Sequence, residues 1–215
     1  MNKKTGFLFS AIAILLLMSL AIGSRFWLVD WPNFKPVFAI AVFLGFYCRN
    51  LWAAFIATMG IMLISDAMIG FYAFELMAVV YLAMLPAIAI GYLLANVLNQ
   101  QLSPWMQALT IGGAFLSGSI TFFLTTNSAV CFLTDWYPNS VSGWIAALAA
   151  GLPFFKYTLA GDMVFGTFIF SSYFMVQTLH AKVGRLRSSA RLLFRNSTLD
   201  LAVVSQAERY DKKNR

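Results

Sequence analysis

Long apolar runs alternate with short polar breaks along the whole first part of the chain, a pattern that predicts membrane-spanning helices. We expect six spans, at residues 7–28, 37–47, 51–64, 76–98, 105–124 and 157–179. The second and third are short, and their lengths correspond to about 16 and 21 Å of helix against roughly 30 Å of hydrocarbon. These two segments must therefore borrow flanking residues or stand shielded inside the bundle.

Polar connections separate the predicted spans. We place residues 30–36, 65–75 and 134–143 in loops on the outer side, and residues 48–50 in a break on the inner side. Residues 144–155 are too few for a comfortable span, so they are expected to lie in the interface or to dip into the bundle. In the fifth span, a set of small residues predicts tight helix contacts: Gly112, Gly113, Ser117, Gly118 and Ser119.

Basic residues at both ends of the chain predict its orientation. Lys3 and Lys4 precede the first apolar run, and residues 182–215 contain nine basic and three acidic residues, a net charge of +6. Both features favour cytoplasmic termini in the inner membrane, which an even number of spans allows. We divide the chain into a transmembrane domain, 1–180, and a basic tail, 181–215, that is loosely ordered or forms one amphipathic helix.

The first apolar run, residues 7–23, has two interpretations. It resembles a signal peptide with a small-residue cleavage site, and it also suits a retained first helix. Because apolar residues resume at Phe26, we favour the uncleaved helix.

Composition limits the classes of function. The chain is 60% hydrophobic and 11% charged, as in a polytopic membrane protein. Cys48 and Cys131 are far apart, and His180 is the only histidine, so neither a metal cluster nor a catalytic triad is expected. HExxH, GxSxG and Walker A motifs are absent from the sequence. We therefore predict no enzyme, no cofactor and no metal, and any energy from ATP must come from another subunit.

The stretch from residue 152 to 162 places Lys156 and Asp162 beside a long apolar run. We expect both charges at the mouth of the last helix, about 9 Å apart along its axis and on different faces. Charged groups at a bilayer edge need water, a partner or a ligand, so the pair is a candidate site. The alternative is a lysine that reaches the interface and an aspartate that complements a helix dipole.

Polar residues gather on the predicted outer side, which indicates an outward-facing cavity, although simple solvated loops remain an alternative. Trp31, Phe71, Tyr72 and Trp136 are candidates for apolar walls, or for ordinary interfacial aromatics. The candidate ligand-binding residues are Asn33, Asp66, Tyr81, Asn127, Tyr137, Lys156 and Asp162.

Four motifs give the chain a resemblance to a known group of proteins. They are residues 33–36, NFKP; 65–71, which begin with Ser65-Asp66; 126–143, with Thr126-Asn127; and 152–162, LPFFKYTLAGD. With this set the chain resembles a family of uncharacterised bacterial inner-membrane proteins that looks related to the S components of energy-coupling-factor (ECF) vitamin transporters. The resemblance implies a six-helix S-component-like fold with a ligand site open to the outer side.

Cobalamin-binding proteins among the solitary S-component-like proteins have an aspartate followed by a membrane tyrosine, as Asp66 and Tyr81 are here. The reactive cysteine of some such binders has no counterpart between Asp66 and Glu75. The resemblance therefore assigns no particular vitamin.

Two functions are compatible with these features, and a third is disfavoured. The first is capture of a small metabolite or vitamin, alone or with an ECF energising module. The second is a non-transporting assembly protein whose basic tail recruits a partner or anionic membrane lipids. An enzyme acting on a lipid is disfavoured because the acids do not form a DxxD set, and nucleic acid is not an expected partner because aromatic residues are sparse in the tail.

Overall fold

All regular secondary structure in the described part of the chain is helical. A computed structural model describes the backbone of residues 12, 15–24, 27, 34–70, 74–98, 100 and 102–213, and the side chains of these residues except Ile69, His180 and 187–213. The helices are α1 (Leu15–Ser24), α2 (Val37–Cys48), α3 (Leu51–Ile69), α4 (Phe74–Val97), α5 (Pro104–Leu133) and α6 (Val141–Lys213).

Four of these helices contain stretches long and apolar enough to cross a membrane: Leu51–Met68, Phe74–Val97, Pro104–Leu133 and Val141–Leu186. Helices α1 and α2 are apolar but shorter. Many large apolar side chains of α3, α4, α5 and α6 are exposed, as is expected of surfaces that face lipid. The chain is therefore an all-α membrane protein.

The predicted break between the second and third apolar segments is confirmed. Helix α2 ends at Cys48, Arg49 adopts a left-handed conformation with φ 51°, and the Asn50 side chain accepts two backbone N–H groups from the first turn of α3. The Arg49 guanidinium donates a 2.9 Å hydrogen bond to the Ala95 carbonyl. That carbonyl lies in the last turn of α4, where no intrahelical partner is available. The break thus begins α3 and also caps α4.

Helix α2 is the centre of the bundle. Every residue from 38 to 46 is buried, so the helix is covered on all its faces. This burial matches its sequence, which is apolar at all these positions and has no polar stripe to turn toward water. Its 12 residues span about 18 Å. Of the two alternatives for short segments, α2 follows the one in which the segment stands shielded inside the bundle.

Glycines allow α2 to lie directly against α4. A Cβ atom at Gly45 would overlap the Ile88 carbonyl oxygen, and one at Gly91 would overlap the Val42 carbonyl oxygen. The two backbones therefore touch without intervening side chains, as in other small-residue crossings of membrane helices. Gly45 follows Ala41 by four residues, the small-xxx-small spacing that favours close approach of membrane helices.

Helices α5 and α6 pack on the other sides of α2 through aromatic rings. Phe170 of α6 lies edge-to-face against Phe43 and Phe115, with ring centroids 5.4 and 5.9 Å apart. Gly118 of α5 faces the ring of Phe38, and Gly166 of α6 faces the ring of Phe115. This packing fixes the height at which α6 meets α2.

The small residues of α5 divide into two groups. The tight contacts predicted there are confirmed for Gly118, which meets the Phe38 ring, and for Ser119, which is fully buried. They are wrong for Gly112 and Gly113, where an added Cβ would meet nothing within 4 Å. Gly113 lies on a different face of α5 from Ser119. Gly112 lies on nearly the same face as Ser119 but two turns nearer the start of α5, where no described neighbour comes close.

Two predicted interruptions of the apolar pattern lie wholly or partly in helices. The outer loop predicted at 65–75 is shorter than expected, because α3 continues to Ile69 and α4 begins at Phe74, with Glu75 in its first turn. The predicted end of the fifth span at 125–127 is wrong, because α5 continues to Leu133. Threonine side chains remain compatible with the helix here: Thr125 and Thr126 donate to the carbonyls four residues earlier.

Helix α6 corrects the prediction for the last part of the chain. Residues 144–155, expected as an interfacial or dipping segment, belong to one helix with the predicted sixth span. Pro153 lies inside this helix, and membrane helices tolerate proline when neighbouring groups satisfy the freed carbonyl. Lys156 and Asp162 therefore stand within a helix, and their predicted position at its mouth is wrong.

The chain divides into two compact units, Met1–Phe170 and Ser171–Arg215. The first contains the contacts described above. In the second, the backbone is helical as far as Lys213. This agrees with the helical alternative for the tail, and the division into a membrane domain ending at residue 180 and a tail stays a prediction.

Candidate functional site

A buried carboxylate lies where the central helix begins. Asp162 of α6 is 1% exposed, and its Oδ2 accepts a 2.6 Å hydrogen bond from the Ser119 hydroxyl of α5. The backbone N–H of Ala39, in the first turn of α2, also interacts with this carboxyl group. Asp162 thus joins three helices at one point.

The position of α2 explains why an acid is needed there. The first N–H groups of a helix have no intrahelical partner, and their end of the helix carries a partial positive charge. Pro36, the residue before α2, is buried, and its side chain makes no capping hydrogen bond. Because α2 is too short to cross the bilayer, these N–H groups lie inside the protein, where a buried acceptor replaces water.

One oxygen of this carboxylate is left over. Asp162 Oδ1 is buried and has no hydrogen-bond partner among the residues that the structure describes. A buried polar atom without a partner is uncommon in native proteins, and water or a ligand usually accounts for it. The free oxygen therefore marks a point at which a hydrogen-bond donor is expected.

The chain that leads into α2 runs against α6. A Cβ atom at Gly161 would lie 3.2 Å from the backbone N of Lys35 and 3.3 Å from Cα of Phe34. The Phe34 ring also packs against Phe165 of α6, with centroids 5.4 Å apart. Irregular backbone is tolerated at membrane depth only where protein covers it or water reaches it. Gly161 provides that cover, next to Asp162.

This contact joins two sequence motifs. Residues 34–36 belong to the NFKP motif, and Gly161-Asp162 end the 152–162 motif. The Lys35 ammonium group also donates a 3.4 Å hydrogen bond to the Ser24 carbonyl, at the end of α1. A cation at the C-terminus of a helix is favourable. The motif residues thus have a joint role in placing α1, α2 and α6.

A second buried carboxylate lies near the end of α3. Asp66 is 1% exposed, and its Oδ2 accepts a 2.9 Å hydrogen bond from the Tyr81 hydroxyl of α4. Asp66 has further interactions within the described residues. The structure therefore brings together two of the residues predicted for the site.

Two hydroxyl groups share the inward face of α3 with Asp66. Thr58 and Ser65 are each 1% exposed, and neither hydroxyl has a hydrogen-bond partner in the described part of the chain. In contrast, the threonines inside α5 all bond to a carbonyl of the preceding turn. The α3 hydroxyls thus depart from the usual behaviour of such residues in membrane helices.

The other predicted site residues have different surroundings. Asn127, half-buried in α5, donates to the Phe123 carbonyl and packs its Oδ1 against Gly151 of α6. Tyr137 lies in the α5–α6 connection, in a surface cleft formed by residues 131–139. Lys156 is exposed, with its Nζ 4.9 Å from the centroid of the neighbouring Tyr157 ring. No described contact connects these three residues with Asp66 or Asp162, and their role in ligand binding stays a prediction.

Some predicted residues lie outside the described part of the chain. Asn33 is one of them, and so are three of the candidate wall residues, Trp31, Phe71 and Tyr72. The remaining candidate wall, Trp136, is exposed.

The sequence analysis missed three contributors to the surroundings of Asp162. Ser119 was assigned only to helix packing, Ala39 contributes through its backbone, and Gly161 contributes by lacking a side chain. Of the three, only Ser119 could have been predicted from the sequence, because it is a polar side chain on the face of α5 that turns inward. The other two depend on how α6 meets the start of α2.

Hydrogen bonding is the chemistry that the buried polar side chains can perform. They form two groups: Asp162 bonds to Ser119, and Asp66 bonds to Tyr81 and shares α3 with the buried hydroxyls of Thr58 and Ser65. In the described residues, no group of three or more His, Cys, Asp or Glu side chains is placed to hold a metal ion. The arrangement can orient a molecule that offers N–H or O–H groups.

Comparison with known proteins gives one match. Residues 6–184 match the model of a family of unknown function (DUF6580), and the chain belongs to that family. The search of curated proteins gave no match, and the search of solved structures gave none.

Proposed function

We propose that this protein is a six-span, S-component-like membrane protein that captures a small metabolite or vitamin from the outer side. The observation that carries the proposal is Asp162, a carboxylate that is 1% exposed and has one oxygen without a hydrogen-bond partner among the described residues, at the start of the short, buried helix α2. In transporters, substrate sites are often formed at the ends of helices that begin within the bilayer.

A purely structural role explains only part of this arrangement. One carboxylate oxygen is enough to accept a hydrogen bond from the first turn of α2. Oδ2 already accepts a bond from the Ser119 hydroxyl of α5, and Oδ1 remains available. Burying a carboxylate is costly, and leaving Oδ1 unbonded adds to that cost. A hydrogen-bond donor from a ligand would satisfy Oδ1 and lower this free-energy cost. The Asp66–Tyr81 pair supplies a second polar contact in the same unit of the chain.

The expected ligand follows from these groups. It is small and carries N–H or O–H donors for the carboxylates. It also has an apolar part, because phenylalanine rings pack between helices α2, α5 and α6. Transport, alone or with an ECF energising module, is part of the proposal.

Mass spectrometry of small molecules retained through gentle detergent purification tests the proposal. The native chain is compared with Asp162→Asn and Asp66→Asn, and Glu75→Gln serves as the control because Glu75 is an exposed carboxylate in the first turn of α4. A compound that is retained by the native chain and by Glu75→Gln, and lost from both aspartate variants, supports the proposal. Retention by all four proteins, or by none while they remain folded, contradicts it.

Lys156→Ala belongs in the same experiment. Its exposed side chain lies away from the buried carboxylates, six residues and different helix faces separating it from Asp162. Loss of the compound from this variant would support the sequence prediction that Lys156 is a ligand contact. Retention would remove Lys156 from the site and leave the buried carboxylates in it.

The assembly function is a second proposal, and the helical backbone of residues 181–213 favours it. A helix with a high density of basic residues is suited to anionic lipid headgroups or an acidic partner. Removal of residues 187–215 tests it. Loss of binding to anionic lipid vesicles in this truncated chain would support the assembly function, and unchanged binding would contradict it.

A further inference from the structure

The inward face of α3 carries polar groups that neither helix capping nor Asp66 alone explains. Thr58, Ser65 and Asp66 fall on one side of the helix, because residues seven and eight positions apart lie close to the same face. Eight residues correspond to about 12 Å of helix. The polar side chains therefore extend from Asp66 well toward the α2–α3 break.

This face is turned into the protein. Ile61 and Met62 lie between the polar residues and are 4% and 1% exposed, so the stripe does not face lipid. Helix α3 packs against α2 and α4. The hydroxyls thus point into the contact between α3 and these two helices.

Their missing hydrogen bonds are informative because a partner was available. Each hydroxyl has a backbone carbonyl one turn earlier, the acceptor that the α5 threonines use. Thr58 and Ser65 do not use it. Buried hydroxyls that leave this carbonyl need another partner, and ordered water is the usual one. Thr58 and Ser65 are seven residues apart, about 10 Å along the helix, and Ser65 is next to Asp66.

We infer that water molecules occupy a polar track along α3, from Thr58 to the Asp66–Tyr81 pair, and that the track gives small hydrogen-bonding solutes a route toward the α2–α3 break. As a route for the captured compound, the inference rests on the proposed function. The hydration of the track is independent of it and can be measured separately.

Cysteine labelling tests the track in the full-length chain. Cys48 and Cys131 are first replaced by alanine, and Thr58→Cys or Ser65→Cys is then introduced. The probe is 2-aminoethyl methanethiosulfonate, which reacts with thiolates, and a buried thiol ionises only where water reaches it. Ala83→Cys is the control, because Ala83 is 2% exposed on α4, a little over half a turn from Tyr81.

Complete modification of Thr58→Cys and Ser65→Cys in folded protein, with Ala83→Cys unmodified in intact-mass spectra, supports the track. Absence of modification at either α3 position overturns it, and so does equal modification of Ala83→Cys, which indicates general solvent leakage. The melting temperature of Thr58→Val gives a second measurement. If the Thr58 hydroxyl bonds to water, the substitution removes that hydrogen bond and should not raise the melting temperature. A rise in melting temperature in that variant would mean that the hydroxyl was dry.

The outcomes also separate the track from ligand capture. Labelling at both α3 positions without any retained compound would leave the track standing and remove the proposed function. A compound lost from Asp66→Asn, together with unlabelled α3 positions, would keep ligand capture and remove the track.

Discussion

Ser119 on α5 donates a 2.6 Å hydrogen bond to Asp162 on α6, and this pair fixes the point at which α2 begins. Both residues are at most 1% exposed. The Asp162 carboxylate interacts with the Ser119 hydroxyl of α5 and with the Ala39 backbone N–H at the positive end of α2. Asp162 thus stabilises the fold, and in the proposed function its Oδ1 atom binds the ligand.

Ser119→Ala should destabilise the protein. It removes a donor from a buried carboxylate, and the expected loss in the free energy of unfolding is about 1–3 kcal/mol. Unfolding in mixed micelles, followed by circular dichroism, measures the change. Ser117→Ala is the matched control, because Ser117 is exposed and its hydroxyl bonds only to the Ala114 carbonyl. Equal stability of the two variants would show that the Ser119 bond contributes nothing.

Gly91→Ala should disrupt the crossing of α2 and α4. The added methyl group would overlap the Val42 carbonyl oxygen, and the two backbones would have to separate. Such overpacking costs about 1–3 kcal/mol. The same unfolding assay measures the loss.

Gly113→Ala provides the comparison for that variant. An added Cβ at Gly113 meets nothing within 4 Å, so only the helix propensity changes. We expect this variant to be neutral or more stable by at most about 1 kcal/mol. A similar loss in both glycine variants would mean that the close approach at Gly91 is not the cause.

Tyr81→Phe should weaken the contact between α3 and α4. The substitution removes the hydroxyl that bonds to Asp66 and keeps the ring. Hydrogen bonds between membrane helices contribute about 0.6 kcal/mol on average and up to about 1.7 kcal/mol. A double-mutant cycle with Asp66→Asn measures the coupling. Strictly additive effects of the two substitutions would show that the bond does not couple the helices.

Ligand retention should respond differently from stability in these variants. Gly91→Ala changes the contact between α2 and α4 and leaves the side chains that bond to Asp162 and Asp66 in place. It is expected to lower the melting temperature while the remaining folded protein keeps its ligand. Asp162→Asn preserves the shape of the side chain and is expected to lose the ligand. Loss of ligand in proportion to stability across both variants would argue that the site has no specific role.

The apolar pattern was sufficient to predict most of the helices. The break at 48–50 could be predicted because polar residues there are flanked by apolar runs on both sides. The length of α2 left two alternatives, and its burial on all faces is the one that the structure shows. The polar residues at 65–66 and 125–127 led to errors, because serine, threonine and aspartate can bond within a bundle and do not have to end a helix. Periodicity gives no information about such partners.

The candidate site was predictable only in part. Asp66 and Tyr81 were both expected and do form a pair. Asp162 was expected at a helix mouth, where its partner would have been water, and it lies instead against Ser119 and the start of α2. That contact depends on how three separate helices meet, and the spacing of residues within one segment does not contain that information.

The most direct test of a ligand at Asp162 is a structure determined by electron cryomicroscopy of the protein in lipid nanodiscs, purified with its retained small molecules. We predict density for a small molecule within about 2.5–3.2 Å of Asp162 Oδ1, the range of a hydrogen bond. A well-resolved map in which Oδ1 bonds only to protein groups, with side chains filling the space around it, would contradict the account and make Asp162 a purely structural residue.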